Sequence, residues 1–132
     1  MKQIPGHTPP GFITGLVASF RYALKGLCFA VRAETNLKIH LAITLAVVAA
    51  GLYFGLSLDE WCSISLTIGL VLVSEMLNTA IEQLVNIVSP EHNASAGRVK
   101  DVAAGATLVA SAVATIVGIL IFGPWLLHML NL

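Results

Sequence analysis

The chain has 132 residues, of which 57% are hydrophobic and only 11% are charged. Its mean hydropathy of +0.88 is typical of integral membrane proteins and argues against a soluble enzyme domain. The length allows a single domain, residues 1–132. The formal net charge is zero and by itself says nothing about partners, and we expect no nucleic acid among them.

Residues 1–11 are rich in turn formers and lack the apolar core of a signal peptide, so they are expected to form a tail. In 12–34, apolar side chains recur with helical spacing, and Arg21, Lys25 and Arg32 form a basic edge beside them. This pattern predicts an amphipathic helix that lies in the membrane interface. The alternative, a core helix of a soluble domain, has no soluble domain to pack against.

Three longer apolar runs follow, at 39–58, 61–88 and 102–127. At a rise of about 1.5 Å per residue, each is long enough to span a bilayer. The sequence therefore predicts an all-α integral membrane protein with one interfacial helix and three transmembrane helices. Four aromatic residues near the ends of these runs are expected to anchor one membrane interface: Tyr53, Phe54, Trp61 and Trp125.

The basic residues predict the orientation. All seven Lys and Arg residues lie either before the first apolar run or between the second and the third. The positive-inside rule therefore predicts that the N-terminus and the 89–101 loop face the cytoplasm. The 57–60 turn and the C-terminus then face outward.

A stripe of polar side chains interrupts the second apolar run. Its helical spacing of i, i+3, i+4, i+7 and i+11 places all its members within an arc of about 100°. We call this set the polar stripe: Glu75, Asn78, Thr79, Glu82 and Asn86. Hydrogen bonding between helices would explain the amides and the threonine but not two acids. Carboxylates with amides in a membrane segment favour a divalent cation, and hard oxygen donors suit Mg²⁺.

Further charged residues lie in segments that are predicted to be on the cytoplasmic side of the membrane. Glu34 falls on the apolar edge of the amphipathic helix, which favours an orientation toward protein, although a simple helix-end charge is the alternative. Lys100 suits a polyphosphate. For Arg98, the alternative to a role in such a site is that of a positive-inside charge. For Asp101, the alternative is that of a helix N-cap.

These groups have the layout that phosphoryl transfer requires: carboxylates for a metal, a lysine for phosphates and a base for an incoming hydroxyl. The chain contains neither G-x-x-x-x-G-K-[ST] nor G-x-G-x-x-G, so any nucleotide site is not a standard phosphate loop. Two other classes of function fit the same stripe. One is a proton or cation relay through Glu75 and Glu82, and the other is a non-catalytic protein whose stripe holds an assembly together.

The segments "EMLNTAIEQLV" and "KDVAAGA" closely resemble the prokaryotic diacylglycerol kinase family, which includes the undecaprenol kinases. The resemblance implies a homotrimeric bundle of three-span chains in the bacterial cytoplasmic membrane, with active sites shared between neighbouring chains. It also implies transfer of the γ-phosphoryl group of Mg-ATP to a lipid hydroxyl.

The resemblance assigns roles by position. Glu75 corresponds to the catalytic base, and Asn78 orients either that base or the substrate. Glu34 and Glu82 correspond to metal ligands, and Lys25 lies where the lipid substrate is admitted to Glu75. Eight residues correspond to positions that bind ATP: Tyr22, Glu34, Glu82, Glu91, His92, Asn93, Lys100 and Asp101.

Two details bear on this resemblance. The family usually has an acid where this chain has Asn86, so a role for a third carboxylate on this helix is in doubt. The segment "NLKIHL" resembles the undecaprenol kinase branch, which favours a polyprenol substrate, with diacylglycerol as the alternative.

Overall fold

The computed structural model describes residues 11–91 and 93–130, and the regular structure of this part is entirely α-helical. The helices are α1 (Phe12–Ala33), α2 (Thr35–Phe54), α3 (Leu58–Val88) and α4 (Ala94–Met129). All four are long and apolar enough to cross a membrane, so length and composition do not separate an interfacial α1 from three spans. The all-α membrane architecture is confirmed, while the predicted tail falls almost wholly outside the described residues.

Helices α1 and α2 are separated by one residue, Glu34. Its backbone is extended (φ −109°, ψ 123°), so α1 ends at Ala33 and a new helix starts at Thr35. The half-buried carboxylate of Glu34 therefore lies at the corner between the two helices. Large apolar side chains of α1 are exposed in the single chain, including Phe12 (87%) and Phe20 (68%).

A three-residue turn joins α2 to α3. Gly55 adopts a left-handed conformation (φ 71°, ψ 48°) that L-residues with side chains rarely adopt, and its N–H donates to the Gly51 carbonyl. Ser57 then caps α3 through a reciprocal capping box with Glu60. The helix therefore ends at Phe54, four residues short of the predicted 39–58 run. The apolar Leu56 and Leu58 had extended the hydropathy signal through a turn.

Helices α3 and α4 form the most extensively packed pair of the bundle. Their 31 and 36 residues correspond to about 46 and 54 Å, longer than the roughly 30 Å of a hydrocarbon core. Small residues of α4 are buried in the bundle: Ala103, Thr107 and Ala110. Small side chains allow helix backbones to approach closely, which fits the tight α3–α4 contact.

The first two turns of α4 occupy most of the segment predicted as the 89–101 loop. Only 89–93 lie between the helices, and the Asn93 side chain caps α4 by accepting from the Ser95 N–H at 2.8 Å. We call the end of the bundle that contains 89–93 and Glu34 the loop end. The opposite end, which contains the 55–57 turn, is called the turn end. Because Asn93 supplies the cap, the alternative role of Asp101 as an N-cap is wrong.

Aromatic side chains gather at the turn end. The Phe54 ring lies 5.9 Å from Trp125 and 6.1 Å from Phe122, centroid to centroid, which joins α2 to α4. Gly51 is buried against the Trp61 indole of α3. The aromatic residues predicted to anchor one membrane interface thus lie at one end of the molecule, and their role as anchors stays a prediction.

Gly51→Ala is expected to destabilise the α2–α3 contact. A Cβ at this position would lie 2.8 Å from the Trp61 ring and 3.0 Å from Leu56, so the bulky indole must move. Overpacking of this kind costs about 1–3 kcal/mol. Thermal unfolding in detergent measures the effect. The matched control is Gly97→Ala, where no side chain lies within 4 Å of the new methyl group. Equal stability of the two variants would contradict the close packing at Gly51.

Candidate active site

The polar stripe of α3 runs from the buried centre of the bundle to its exposed loop end. Glu75 and Thr79 are only 4% and 3% exposed, Asn78 and Glu82 are half-buried, and Asn86 is exposed. Glu75 and Glu82 are seven residues apart, about 10 Å along the helix axis. The stripe therefore joins a buried carboxylate to the surface, as its spacing predicted.

The buried Glu75 carboxylate has a partner on α2. The Nε2 atom of His40 lies 3.2 Å from Glu75 Oε1, and the His40 side chain is 21% exposed. Sequence reasoning missed His40 as a site residue, although it stands within the quoted "NLKIHL" segment as a lone imidazole in an apolar run. Helical periodicity relates residues on one helix, and this contact joins two helices.

The His40–Glu75 contact also fixes how far Glu75 lies from the loop end of the bundle. His40 lies five residues after the start of α2, or about 8 Å from the loop end. Glu75 therefore lies at a similar distance from that end, and Glu82 lies close to the level at which α2 begins. A water-soluble phosphate donor could approach Glu82 while an apolar acceptor approaches Glu75 from the bundle side.

Asn78 contacts the second acid of the stripe rather than the first. Its Nδ2 donates to Glu82 Oε1 at 3.2 Å, while Thr79 Oγ1 donates to the backbone carbonyl of Glu75 at 3.0 Å. The buried Asn78 Oδ1 has no hydrogen-bond partner among the described residues. An unpartnered buried acceptor is costly, so this oxygen is suited to a donor from a bound ligand.

Lys100 joins α4 to the exposed end of the stripe. Its Nζ donates to Asn86 Oδ1 at 2.7 Å, across the α3–α4 contact. The amide oxygen of Asn86 holds the ammonium group in place without adding a negative charge beside it. The exposed Asp101 follows Lys100 on the second turn of α4, and Arg98 Nη2 donates to Ser95 Oγ at 2.9 Å.

The predicted ATP residues of α1 and of the 89–93 segment, and the predicted lipid residue Lys25, are exposed in the single chain where the structure describes them. Tyr22 is 63% exposed on α1, with the Arg21 guanidinium 5.8 Å from its ring centroid. Lys25, Glu91 and Asn93 are exposed, and His92 lies outside the described residues. In the part of the chain that the structure covers, no hydrogen bond or ion pair links these side chains to Glu75 or Glu82.

The donor set fits Mg²⁺ only if other molecules supply some of the ligands. Across 11–91 and 93–130, no group of three or more His, Cys, Asp or Glu side chains could hold a metal ion. Mg²⁺ in kinases is commonly bound by one or two carboxylates together with substrate phosphates and water. Glu34 and Glu82, both half-buried near the loop end, are compatible with such a site.

A mainly apolar cavity of about 420 Å³ lies between α2, α3 and α4. It is lined by aliphatic residues such as Val47, Ile68 and Val71, and it extends to Phe122 near the turn end. His40 also lines it. The cavity thus leads from the apolar part of the bundle to the residue that contacts Glu75.

Residues 21–122 match the family model described as prokaryotic diacylglycerol kinase. The chain belongs to the prokaryotic diacylglycerol kinase family. It is therefore a lipid kinase, an enzyme that uses ATP. The resemblance of "EMLNTAIEQLV" and "KDVAAGA" to this family is confirmed.

Three relatives of this lipid kinase are named for one of two lipid alcohols. The "Undecaprenol kinase" of Bacillus subtilis is 41% identical over 106 residues, which cover 80% of this chain and 86% of the relative. A "Diacylglycerol kinase" of Synechocystis is 37% identical over 116 residues, or 87% of this chain and 66% of the relative. That of Haemophilus influenzae is 29% identical over 112 residues, covering 83% and 95%.

Replacements of Asn86 are expected to separate charge from hydrogen bonding. Asn86→Asp keeps an acceptor for Lys100, so activity should change less than about threefold. Asn86→Leu removes the acceptor, and the KM for ATP should rise about fivefold, as expected for the loss of roughly 1 kcal/mol of positioning. Steady-state kinetics at varied ATP measures both effects. An unchanged KM in Asn86→Leu would show that the contact with Lys100 plays no part in ATP binding.

Proposed function

We propose that this lipid kinase transfers the γ-phosphoryl group of Mg-ATP to the hydroxyl of a polyprenol, undecaprenol or a similar alcohol. The observation that carries the proposal is the buried Glu75 carboxylate, 4% exposed, at the apolar end of a stripe that reaches Lys100. The similarity to the Bacillus subtilis "Undecaprenol kinase" supports this acceptor. Diacylglycerol is the second candidate, and the Synechocystis and Haemophilus influenzae relatives support it.

The proposed reaction is a direct transfer. The lipid hydroxyl gives its proton to the Glu75 carboxylate, its oxygen bonds to the γ-phosphorus, and the bond to the β-phosphate oxygen breaks to release ADP. Lys100, whose Nζ donates to Asn86 Oδ1 at 2.7 Å, binds the phosphates. Asn78 orients Glu82, to whose Oε1 it donates, and offers its free Oδ1 to the substrate.

Glu34 and Glu82 would hold Mg²⁺, which when bound neutralises phosphate charge. Because Glu82 Oε1 already accepts from Asn78, its other oxygen remains available as a ligand. Glu34 contributes from the corner between α1 and α2. Phosphate oxygens and water would complete the coordination.

We assign α1 to the membrane interface and α2, α3 and α4 to the three spans. The distribution of basic residues supports this assignment and a cytoplasmic location of the N-terminus and the 89–101 segment, in a bacterial inner membrane. The active site then opens to cytoplasmic ATP at the loop end, and the C-terminus lies outside.

We further propose a homotrimer whose sites are shared between neighbouring chains. Two features support shared sites: Tyr22 and Lys25 lie on a helix whose apolar face is exposed, and neither side chain makes a hydrogen bond or ion pair with the polar stripe of its own chain. An adjacent chain could place such residues over the stripe. ATP and the lipid alcohol are the other partners.

The acceptor test uses purified protein with Mg-ATP and a panel of polyprenols and diacylglycerols, followed by mass identification of the phosphorylated lipid. Undecaprenol is expected to react faster than diacylglycerol. Glu75→Gln, which retains shape and removes the proton acceptor, should lower the rate about 10²- to 10⁴-fold while the oligomer persists. Unchanged turnover in this variant would rule out Glu75 as the base. Proton flux without lipid phosphate would favour a relay, and collapse of the oligomer would favour a structural stripe.

Glu82→Ala is expected to lower activity about 100-fold or more, and raising Mg²⁺ should not restore it, because a metal ligand has been removed. The measurement is ATP-dependent lipid phosphorylation across a Mg²⁺ titration. Gln83→Ala, at the next position of α3 and outside the polar stripe, is the matched control and should behave like the unaltered protein. Full recovery of Glu82→Ala at ordinary Mg²⁺ would contradict a ligand role.

A further inference from the structure

The neighbour of the proposed base is a histidine to which neither the sequence motifs nor the comparisons assign a role. His40 Nε2 lies 3.2 Å from Glu75 Oε1, and the two residues come from different helices, α2 and α3. Nothing in the local sequence of α3 provides this contact. It depends on the turn at 55–57, which folds α2 back along α3.

The polar neighbours of Glu75 on its own helix are otherwise engaged. The Asn78 amide donates to Glu82, and the Thr79 hydroxyl donates to the backbone carbonyl of Glu75 rather than to its carboxylate. Among the side chains that the structure describes, His40 is thus the one placed to donate to this carboxylate.

A buried carboxylate that must accept a proton needs both a donor and a fixed direction. Removing it from water without a hydrogen bond is unfavourable, and a carboxylate free to rotate samples many unproductive orientations. An imidazole 3.2 Å from Oε1 is placed to meet both requirements, and no hydrogen bond from the described residues occupies Oε2. This division of roles resembles the orientation of one catalytic group by another in hydrolytic triads.

The surroundings of His40 agree with a role at the reacting end of the lipid. The imidazole lines the apolar cavity between α2, α3 and α4, and its side chain retains 21% exposure. The imidazole is partly exposed and the Glu75 carboxylate is nearly buried, so His40 lies between the apolar cavity and the proposed base.

We propose that His40 is a positioning residue, whose Nε2–H donates to Glu75 Oε1 and so directs Oε2 toward the lipid hydroxyl. The hydroxyl proton passes to Glu75, the lipid oxygen bonds to the γ-phosphorus, ADP leaves, and His40 keeps its proton throughout. The proposal rests on the proposed function in one respect, the assignment of Glu75 as the proton acceptor.

The test compares His40→Leu, which removes the donor, with His40→Gln, whose amide places an N–H near the position of Nε2. His40→Leu is expected to lower kcat about tenfold to 100-fold while the KM for ATP stays unchanged, because His40 pairs with neither Glu82 nor Lys100, the residues proposed to bind the metal and the phosphates. His40→Gln should recover most of kcat. His128→Leu, at an exposed histidine in the last turn of α4, is the matched control and should retain full activity.

A double variant tests whether His40 acts through Glu75. Single-turnover phosphorylation with labelled ATP gives the residual rates of Glu75→Gln and of Glu75→Gln combined with His40→Leu. Equal residual rates are expected, because removing the positioning residue has no effect once its target is lost. Thermal unfolding and oligomer size, measured for every variant, identify any loss that comes from misfolding, and His40→Gln then provides the decisive comparison.

Three results would overturn the proposal. Full kcat in a folded His40→Leu would show that the contact is dispensable. A His40→Gln variant as slow as His40→Leu would show that the imidazole does more than donate a hydrogen bond. A double variant slower than Glu75→Gln would show an independent action of His40. Failure of the Glu75 assignment is distinguishable, because Glu75→Gln itself would then remain active.

Discussion

The requirement to satisfy a carboxylate inside an apolar bundle governs the rest of this structure. Glu75 is almost fully buried, and an unpartnered acid in such surroundings is strongly unfavourable. Its partner, His40, is on another helix, so this pairing forms only when α2 is folded back on α3. The turn with the left-handed Gly55 and the Ser57–Glu60 capping box makes that return possible in three residues.

The second requirement is a connection between apolar and aqueous surroundings. Helices α3 and α4 are each longer than a hydrocarbon core, and the proposed orientation places the excess length at the loop end. Along α3, burial decreases from Glu75 to Asn86, and α4 brings Lys100 to the exposed end of the stripe. One face of α3 can therefore contact a lipid alcohol in the apolar part of the bundle and a water-soluble nucleotide at its exposed end.

The single chain carries a polar stripe but leaves part of the predicted nucleotide site apart from it. The α1 residues assigned to ATP and lipid make no hydrogen bond or ion pair with the stripe among the residues described, and the apolar face of α1 is exposed. Both facts agree with the proposal that a neighbouring chain completes each site. In that proposed assembly, the exposed aliphatic surface of the bundle contacts both lipid and the neighbouring chains.

The sequence by itself determined the helical architecture, the polar stripe and the family, because helical spacing, hydropathy and short motifs are local properties. Only the tertiary structure decided which groups meet across helices. It brought His40 of α2 to Glu75 of α3, and Lys100 of α4 to Asn86 of α3. Such contacts depend on the turn geometry and on side-chain packing between α2, α3 and α4, which no periodicity within one helix encodes. The amide oxygen of Asn86 accepts from Lys100, and that contact is visible only in the folded pair of helices.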